Sequence, residues 1–426
     1  MYEQQQQAVQ AAKVVGKGVD TLLLNVYYVD DQGQPVKQVL DSSLVVLLEE
    51  LKHKAQLAGE PVPTSWSFQE VVFLIRPNGA GRGHWQWILT SPLLTVCISM
   101  GKWNGGIAQL RCSSEYLWSA PSLETAIRQV HDFLRALFGC DLYVQVSEVH
   151  LCADVAGWGD VAHLDYQQVF VSRSRKRADH LEAGWNINPE GEFTAKSFSY
   201  GLTRTGLEFS AHGSLSCAIY DKSRELKKTG KQWFEDLWLL NGWQEDETVW
   251  RVEFRFKREA LHELKLDGVF HGIENAYDLP GRLPLLWAYA AGHVNGGADG
   301  LPDGWLRCTS PNEDTNRSRW PTHPVWKLVQ GAFCAPCVVP EYFGMLIRKR
   351  HEERNVLKGI EATLGYATSL SSWVGGRLAD PTSDLSVFLH WLAMNGGDYL
   401  EEKGVSFGSE VQRKRVKFGL PVVQTS

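Results

Sequence analysis

Three stretches of the chain alternate apolar and polar residues with a period of two. In Gln145–Val155, Ser147, Val149, Leu151, Ala153 and Val155 share one side and Glu148, His150, Cys152 and Asp154 the other. In Trp250–Lys257, Trp250, Val252, Phe254 and Phe256 alternate with Arg251, Glu253, Arg255 and Lys257. In Ser214–Glu225, Leu215, Cys217 and Ile219 alternate with Ser216, Ala218 and Tyr220, and Asp221 and Lys222 then lead into a helix-like segment. Successive strand side chains point to opposite faces, so each stretch is a strand with one apolar and one polar side. Several such strands together predict an antiparallel sheet with one face open to water.

The remaining pattern fills in around them. Val19–Tyr28, Phe68–Arg76, Trp85–Thr90, Leu94–Met100, Ile107–Cys112 and Phe193–Tyr200 read as further strands, several of them split by Gly, Pro and Asn turns. Asp41–Gly59 and Pro121–Gly139 read as helices, with Asp41 or Ser42 and Ser122 as N-caps and Gly59 and Gly139 as stops. A Trp-rich helix is expected near Gln232–Asn241. After Pro280–Pro284 the texture turns helical: Leu285–Ala291, Val325–Phe333, Pro340–Arg354, Asn355–Leu370 and Asp384–Gly396, with a long polar connection at Gly296–Pro324. The expected class is α+β, an antiparallel sheet with helices packed on one face, plus a mostly helical C-terminal domain. The expected divisions are a flexible Gln-rich N-terminus (1–17), a sheet domain (18–280), a helical domain (281–408) and a basic tail (409–426).

Composition narrows the function classes. The 426 residues are 44% hydrophobic and 22% charged, an ordinary globular balance with room for two or three domains. No apolar run approaches the ~20 residues of a membrane span. The N-terminus lacks an apolar signal core, so a cytoplasmic protein with no membrane partner is expected. Eight cysteines, mostly within apolar strands, read as reduced core residues. The pair Cys334 and Cys337 lacks the second pair that a zinc site needs. The net charge of −6 argues against coating nucleic acid through bulk charge. Local basic runs remain at Arg173, Arg175, Lys176 and Arg177, at Arg348–His351 and at Arg413–Lys417; the plain reading of each is solvated surface, and the first is the candidate DNA-binding run. Among 17 tryptophans, Trp103, Trp158 and Trp185 sit in Gly-rich loops, either to stack on bases or to fold back onto the core.

Taken as adjacent strands, the three stretches put Tyr220, His150, Asp154 and Glu253 on one open face. On pattern alone a strand-end tyrosine is a rim aromatic, Asp154 a turn or cap residue, and Glu253 a cross-strand ion-pair partner. The chemical alternative is a site. Asp154 and Glu253 suit a hard divalent cation such as Mg²⁺ or Mn²⁺, and His150 as a third ligand favours Mn²⁺ over Ca²⁺. A tyrosine with an unperturbed pKa of about 10 needs help to attack phosphorus; Lys222 stands close by in sequence to supply positive charge, and Arg251 and Arg255 to hold phosphate.

The ordered segments VDTLLLNV, CSSEYLW (Cys112–Trp118), VHLCADV, FSYG (Phe198–Gly201), AIYDKSRE and WRVEFRFKRE together resemble the Rep_trans family, replication initiation factors of rolling-circle plasmids and phages, with related relaxases of conjugative elements. The resemblance runs from about Val19 to Leu261. It implies a distantly HUH-like fold and a metal-dependent nicking and joining endonuclease. It assigns Tyr220 as nucleophile, Lys222 as its lysine, and Asp154 and Glu253 as metal-site acids. The chain departs from the family's R-x-D-x-x-x-D strand, carrying Glu148 and His150 at the first two positions, so His150 must stand in for an acid. The implied partner is a replication or transfer origin, single-stranded or hairpin, with a host helicase and a second copy of the chain as protein partners. The expected activity is nicking of origin DNA through a 5′-phosphotyrosyl intermediate in rolling-circle replication or transfer of a mobile element. A conjugative relaxase with the same chemistry, a non-catalytic origin-binding regulator and a water-using metal-dependent hydrolase are the alternatives.

Overall fold

One long strand, β1 (Lys13–Val29), is the seam of the molecule. The computed structural model describes residues 12–81, 84–101, 106–159, 161–172, 177–179, 193–200, 203–211, 213–266, 272–296, 303–333, 346–348, 356–373 and 385–417. On one edge β1 pairs antiparallel with β7 (Ala108–Cys112), followed outward by β6 (Leu94–Ile98), β5 (Trp87–Thr90), β4 (Val71–Ile75) and β3 (Val62–Phe68). On the other edge it pairs with β8 (Leu142–Ala156), followed by β14 (Val249–Lys257), β13 (Leu215–Asp221), β12 (Thr203–Phe209), β11 (Phe193–Tyr200) and β10 (Arg177–Asp179). With the short β2 (Pro35–Val36) these make a 13-stranded sheet, antiparallel except for the β10–β11 pair. The fold is α+β, as expected from the alternation.

The inner face is one continuous apolar core. Leu22, Leu24 and Val26 of β1, Val149 and Leu151 of β8, and Val252, Phe254 and Phe256 of β14 all point into it. Helix α1 (Ser42–Ala58) and helix α3 (Leu123–Phe138) cover it, with α2 (Ser114–Ser119) between them in sequence. Their ends follow the expected chemistry. The Asp41 side chain accepts from the Ser43 and Leu44 amides and Ser122 from the Thr125 amide, while Gly59 and Gly139 adopt the left-handed conformation that ends each helix. Ile127, Val130, Leu134 and Leu137 form the buried stripe of α3, each stabilising the fold by about 1.5–3 kcal/mol.

Several elements differ from the sequence reading: β1 starts at Lys13, inside the N-terminus expected to be flexible, and Leu346–Arg348, inside the helix expected at Pro340–Arg354, is a strand paired with Leu264–Leu266. The single strand expected at Phe68–Arg76 is a hairpin of β3 and β4, turned at Gln69 and Glu70, both with positive φ. Neither is the Gly or Asn that usually marks such a turn. The boundary expected at 280 is also displaced. The chain divides into Met1–Arg350 and His351–Ser426. The helices at Leu283–Ala291 and Pro324–Gly331 bury Leu286, Trp287, Trp326 and Val329 in the sheet's core, so their apolar stripes belong to the first unit. The second unit is helical over its described residues, Val356–Trp373, Leu385–Glu402 and Phe407–Lys417, and the last of these turns the start of the expected tail into helix.

Candidate functional site on the outer sheet face

Helices also reach the outer face. The Asp221 side chain accepts from the Arg224 amide and caps α4 (Lys222–Thr229), and Val249 N–H donates to Ser223 Oγ, which ties that helix to β14. Helix α5 (Trp233–Leu240) follows, and Phe234, Trp238 and Leu226 pack with Val15, Ala156 and Val249 into a small second core. Helices therefore lie on both faces of the sheet, and this pair covers only one end of the outer one.

Strand register lines up the polar side chains. Gly206, Tyr220, Arg251, Asp154 and Gly16 form one cross-strand row; Ala218, Glu253, Cys152 and Gly18 form the next; Ser216, Arg255 and His150 the third. The residues predicted from alternation to share an open face do share one face, but Asp154 and Glu253 are buried on it rather than open to water.

They separate into two groups. Under α5, Arg251 is wholly buried and donates from Nε and Nη2 to both carboxylate oxygens of buried Asp154, at 2.6 and 2.8 Å, and from Nη1 to Asp20 at 2.5 Å. Trp238 Nε1 donates to Asp154 Oδ2 at 2.9 Å, and the guanidinium lies 4.6 Å from the Phe234 ring centroid. Asp154 is thus saturated by donors and is no metal ligand; Arg251 has no surface to offer a phosphate. Gly16 permits this closure, since a Cβ there would stand 3.1 Å from Asp154 Oδ2. Lys222 is also corrected: its side chain is buried, its Nζ is 2.5 Å from Glu225, and it lies beside the rings of Tyr220 and Phe234, at 5.7 and 4.9 Å from their centroids. Its charge is engaged within α4.

The second group is continuous. Tyr220 Oη donates to Glu253 Oε2 at 3.0 Å. Glu253 Oε1 accepts from Arg255 Nε at 2.7 Å and faces His150 Nδ1 at 3.2 Å. His150 Nε2 is 2.7 Å from Glu148 Oε1. Burial by itself would raise the Glu253 carboxyl, but the His150 hydrogen bond and charge, with Arg255 behind them, hold it well below the usual carboxylate range. Burial would lower His150, but Glu148 and Glu253 outweigh it and raise the imidazole. Burial, and then the Glu253 charge, push the Tyr220 phenol well above its ordinary range.

Among the described residues no group of three or more His, Cys, Asp or Glu is arranged to hold a metal ion. Two donors of the expected set, His150 Nδ1 and Glu253 Oε1, do face each other, and Glu148 on the other ring nitrogen fixes the imidazole as a second carboxylate fixes ligating histidines. Glu253, like Asp154, already accepts from three donors (Tyr220, Arg255 and His150), so a Mg²⁺ or Mn²⁺ ion at this pair would have to displace Arg255 or His150. Glu148 had a sequence signal that went unused: it lies two residues before His150 on the same strand face. Asp20 and Trp238 had none, because a bulge in β1 and a distant helix bring them in.

The other expected residues are placed as follows. Arg255 is about one-third exposed and also lies 3.6 Å from Glu208. Arg173, Arg175 and Lys176, the side chain of Arg177, Cys334, Cys337, Trp103 and Trp185 lie outside the described residues. Trp158 folds back, fully buried against Trp326. No helix among the described residues is long and apolar enough to cross a membrane.

No family model matches the chain. Over 160 residues it is 29% identical to the uncharacterized protein ORF430 of Pseudomonas phage Pf1, a stretch covering 34% of this chain and 35% of that one. The chain thus spans about one third of the length of that relative. A solved structure of a rolling circle replication initiator protein from Geobacillus stearothermophilus aligns over 75% of this chain and 96% of that chain, with 13% identity and a TM-score of 0.39.

Proposed function

We propose that this protein is a DNA strand-transfer enzyme that starts replication of a mobile element by nicking single-stranded or hairpin origin DNA. The observation that carries the reading is the half-buried Tyr220 hydroxyl hydrogen-bonded to buried Glu253 on the outer sheet face, with His150 and Glu148 behind it. A relative encoded by a phage supports the mobile-element setting.

The phenol is not a standing phenolate, because burial and the Glu253 charge raise it. It needs a base at the moment of attack. Glu253 Oε2 is that base by position. Tyr220 Oη attacks phosphorus as its proton passes to Glu253. The bond from phosphorus to the 3′ oxygen breaks, and that oxygen takes a proton from water to leave as a 3′-hydroxyl. Tyr220 stays joined to the 5′ phosphate. The ester keeps the energy of the phosphodiester, so a free 3′-hydroxyl reverses the step. Arg255 and His150 orient Glu253 from its other oxygen. A divalent ion at the His150–Glu253 pair would polarise a phosphoryl oxygen.

A supercoiled plasmid carrying the cognate origin tests this, with and without Mg²⁺ or Mn²⁺ and with EDTA. Wild-type protein should nick and leave a denaturation-resistant protein–DNA adduct, and Tyr220→Phe should lose both by at least about a thousandfold, the scale for losing a nucleophile. Equal nicking by Tyr220→Phe would refute covalent catalysis by Tyr220. A binding-only origin regulator is the second reading, favoured by the raised Tyr220 phenol; it gains if both proteins bind the origin and neither nicks.

A further inference from the structure

On the far side of Tyr220 from the buried Arg251, the outer face continues through Gly206 of β12 to Phe198 of β11; directly opposed residues share a face, so Phe198, Gly206 and Tyr220 stand in one row. Tyr200 lies two residues further along β11 and points the same way. Both rings are exposed on the sheet surface, Phe198 by 47% and Tyr200 by 65%. Cations surround them. The Arg224 guanidinium is 4.0 Å and Lys228 Nζ 5.9 Å from the Tyr200 centroid, both from α4, and Lys196 Nζ is 5.1 Å from that of Phe198. Lys196 also pairs with Glu208 at 2.6 Å, whereas no carboxylate lies within ion-pair distance of Arg224 or Lys228 among the described residues.

Large exposed aromatics on a strand are unfavourable unless they meet something. Rings flanked by cations, two of them without an ion-pair partner among the described residues, match the needs of a nucleobase and its phosphate: a π-face for the base and positive charge for the backbone. Gly206 adds space. A Cβ there would meet the Ile219 carbonyl oxygen at 3.4 Å, Tyr220 Cβ at 3.5 Å and Phe198 Cδ2 at 3.6 Å, so the Phe198 ring leans over the glycine towards Tyr220 with no side chain between them.

We propose that Phe198 and Tyr200 form a stacking platform for unpaired nucleobases beside Tyr220, with Arg224 and Lys228 holding the phosphates of the same strand. The ligand is single-stranded DNA. The platform rests on the strand-transfer reading only for its purpose, which is to fix the bases flanking the phosphate that Tyr220 attacks.

Fluorescence anisotropy with a labelled single-stranded oligonucleotide, and with the duplex of the same sequence, tests it on the full chain. Phe198→Ala and Tyr200→Ala should each weaken single-strand binding about fivefold or more and leave duplex binding unchanged. Leucine at either position should fail to restore it and tryptophan should restore it. That pair of variants separates stacking from packing, since leucine keeps the apolar bulk. Arg224→Gln and Lys228→Gln should instead flatten the dependence on salt, by about 0.7 in the log–log slope per lost contact. Single-strand binding within twofold of wild type for both alanine variants overturns the platform, as does rescue by leucine. The two readings fail separately. A Tyr220 adduct with ring-independent binding leaves strand transfer standing without the platform, and ring-dependent binding without an adduct does the reverse.

Discussion

At one end of the outer face, Asp154, Arg251 and Asp20 lie under the α5 helix, closed off by Phe234 and Trp238. Along the same strands, Tyr220 in the row of Arg251 and Asp154, and Glu253, His150 and Glu148 in the rows beyond it, use the same kinds of acid and base outside that tie. The first group resembles a metal and phosphate site when read from sequence and is instead an internal tie between sheet and helix. The second lines up a hydroxyl, a carboxylate and an imidazole, with Glu253 buried and Tyr220, His150 and Glu148 half-buried. The difference does not come from the strands, which have equal alternation. It comes from what crosses over them: an eight-residue helix with tryptophans on its lower side, and glycines at 16 and 18 that let side chains settle against the sheet.

Breaking the tie should give the largest effect on stability. Arg251→Ala leaves buried Asp154 and half-buried Asp20 without their partner and should cost about 3–5 kcal/mol, read as a shift in the urea midpoint. A midpoint near wild type would mean that the buried group is not a structural tie. Gly18→Ala acts on the same cover by crowding. Its Cβ would meet the Trp118 ring at 3.0 Å, and a loss of about 1–3 kcal/mol is expected.

The open group should respond to pH rather than to packing. His150 is raised from its ordinary 6.5, so its protonated form stabilises the fold fully below pH 6.5, and that contribution disappears as pH rises through the folded value. Glu253 is lowered from 4.5 and works in the other direction, contributing above pH 4.5 and losing its contribution on acidification. In EDTA, wild-type protein should therefore lose stability from pH 6.5 upward, and His150→Gln should flatten that slope; an unchanged slope removes His150 as its cause. The smallest effect belongs to Arg255→Gln. Its ion pairs are one-third exposed, so stability should fall by under about 1 kcal/mol, while strand-transfer activity drops further because Glu253 loses a partner on Oε1.

Alternation was enough to identify β8, β13 and β14 and the face that Tyr220, His150, Asp154 and Glu253 share, because register in an antiparallel sheet follows from burial of one side. It was silent on which of those residues a helix would later cover. Asp154 and Glu253 have the same pattern around them, and only the contact with Trp238, 84 positions away, separates their roles. The β3–β4 hairpin was hidden because its turn uses Gln69 and Glu70 at positive φ, and β12 because Thr203–Phe209 contains Gly206 and few apolar residues. Four of the five helices expected after residue 280 were found at nearly the right positions, but the described part of the fifth, Pro340–Arg354, is a strand at Leu346–Arg348, and a helix's own stripe does not say which core it enters.

The seam strand β1 has a consequence for how the chain is made. It leaves the ribosome before either of its long partners, β7 and β8, with both edges bare. Its β7 edge closes early, but the other waits for β8; Tyr27 and Gln145, which touch across that seam, are 118 positions apart. Until then the nascent chain carries half a sheet ending in a long unpaired edge, a template for pairing with neighbouring chains. Slow synthesis of the segment between Cys112 and Leu142 would lengthen that exposure, so yield of native protein should depend on translation speed there and on chaperones that shield strand edges.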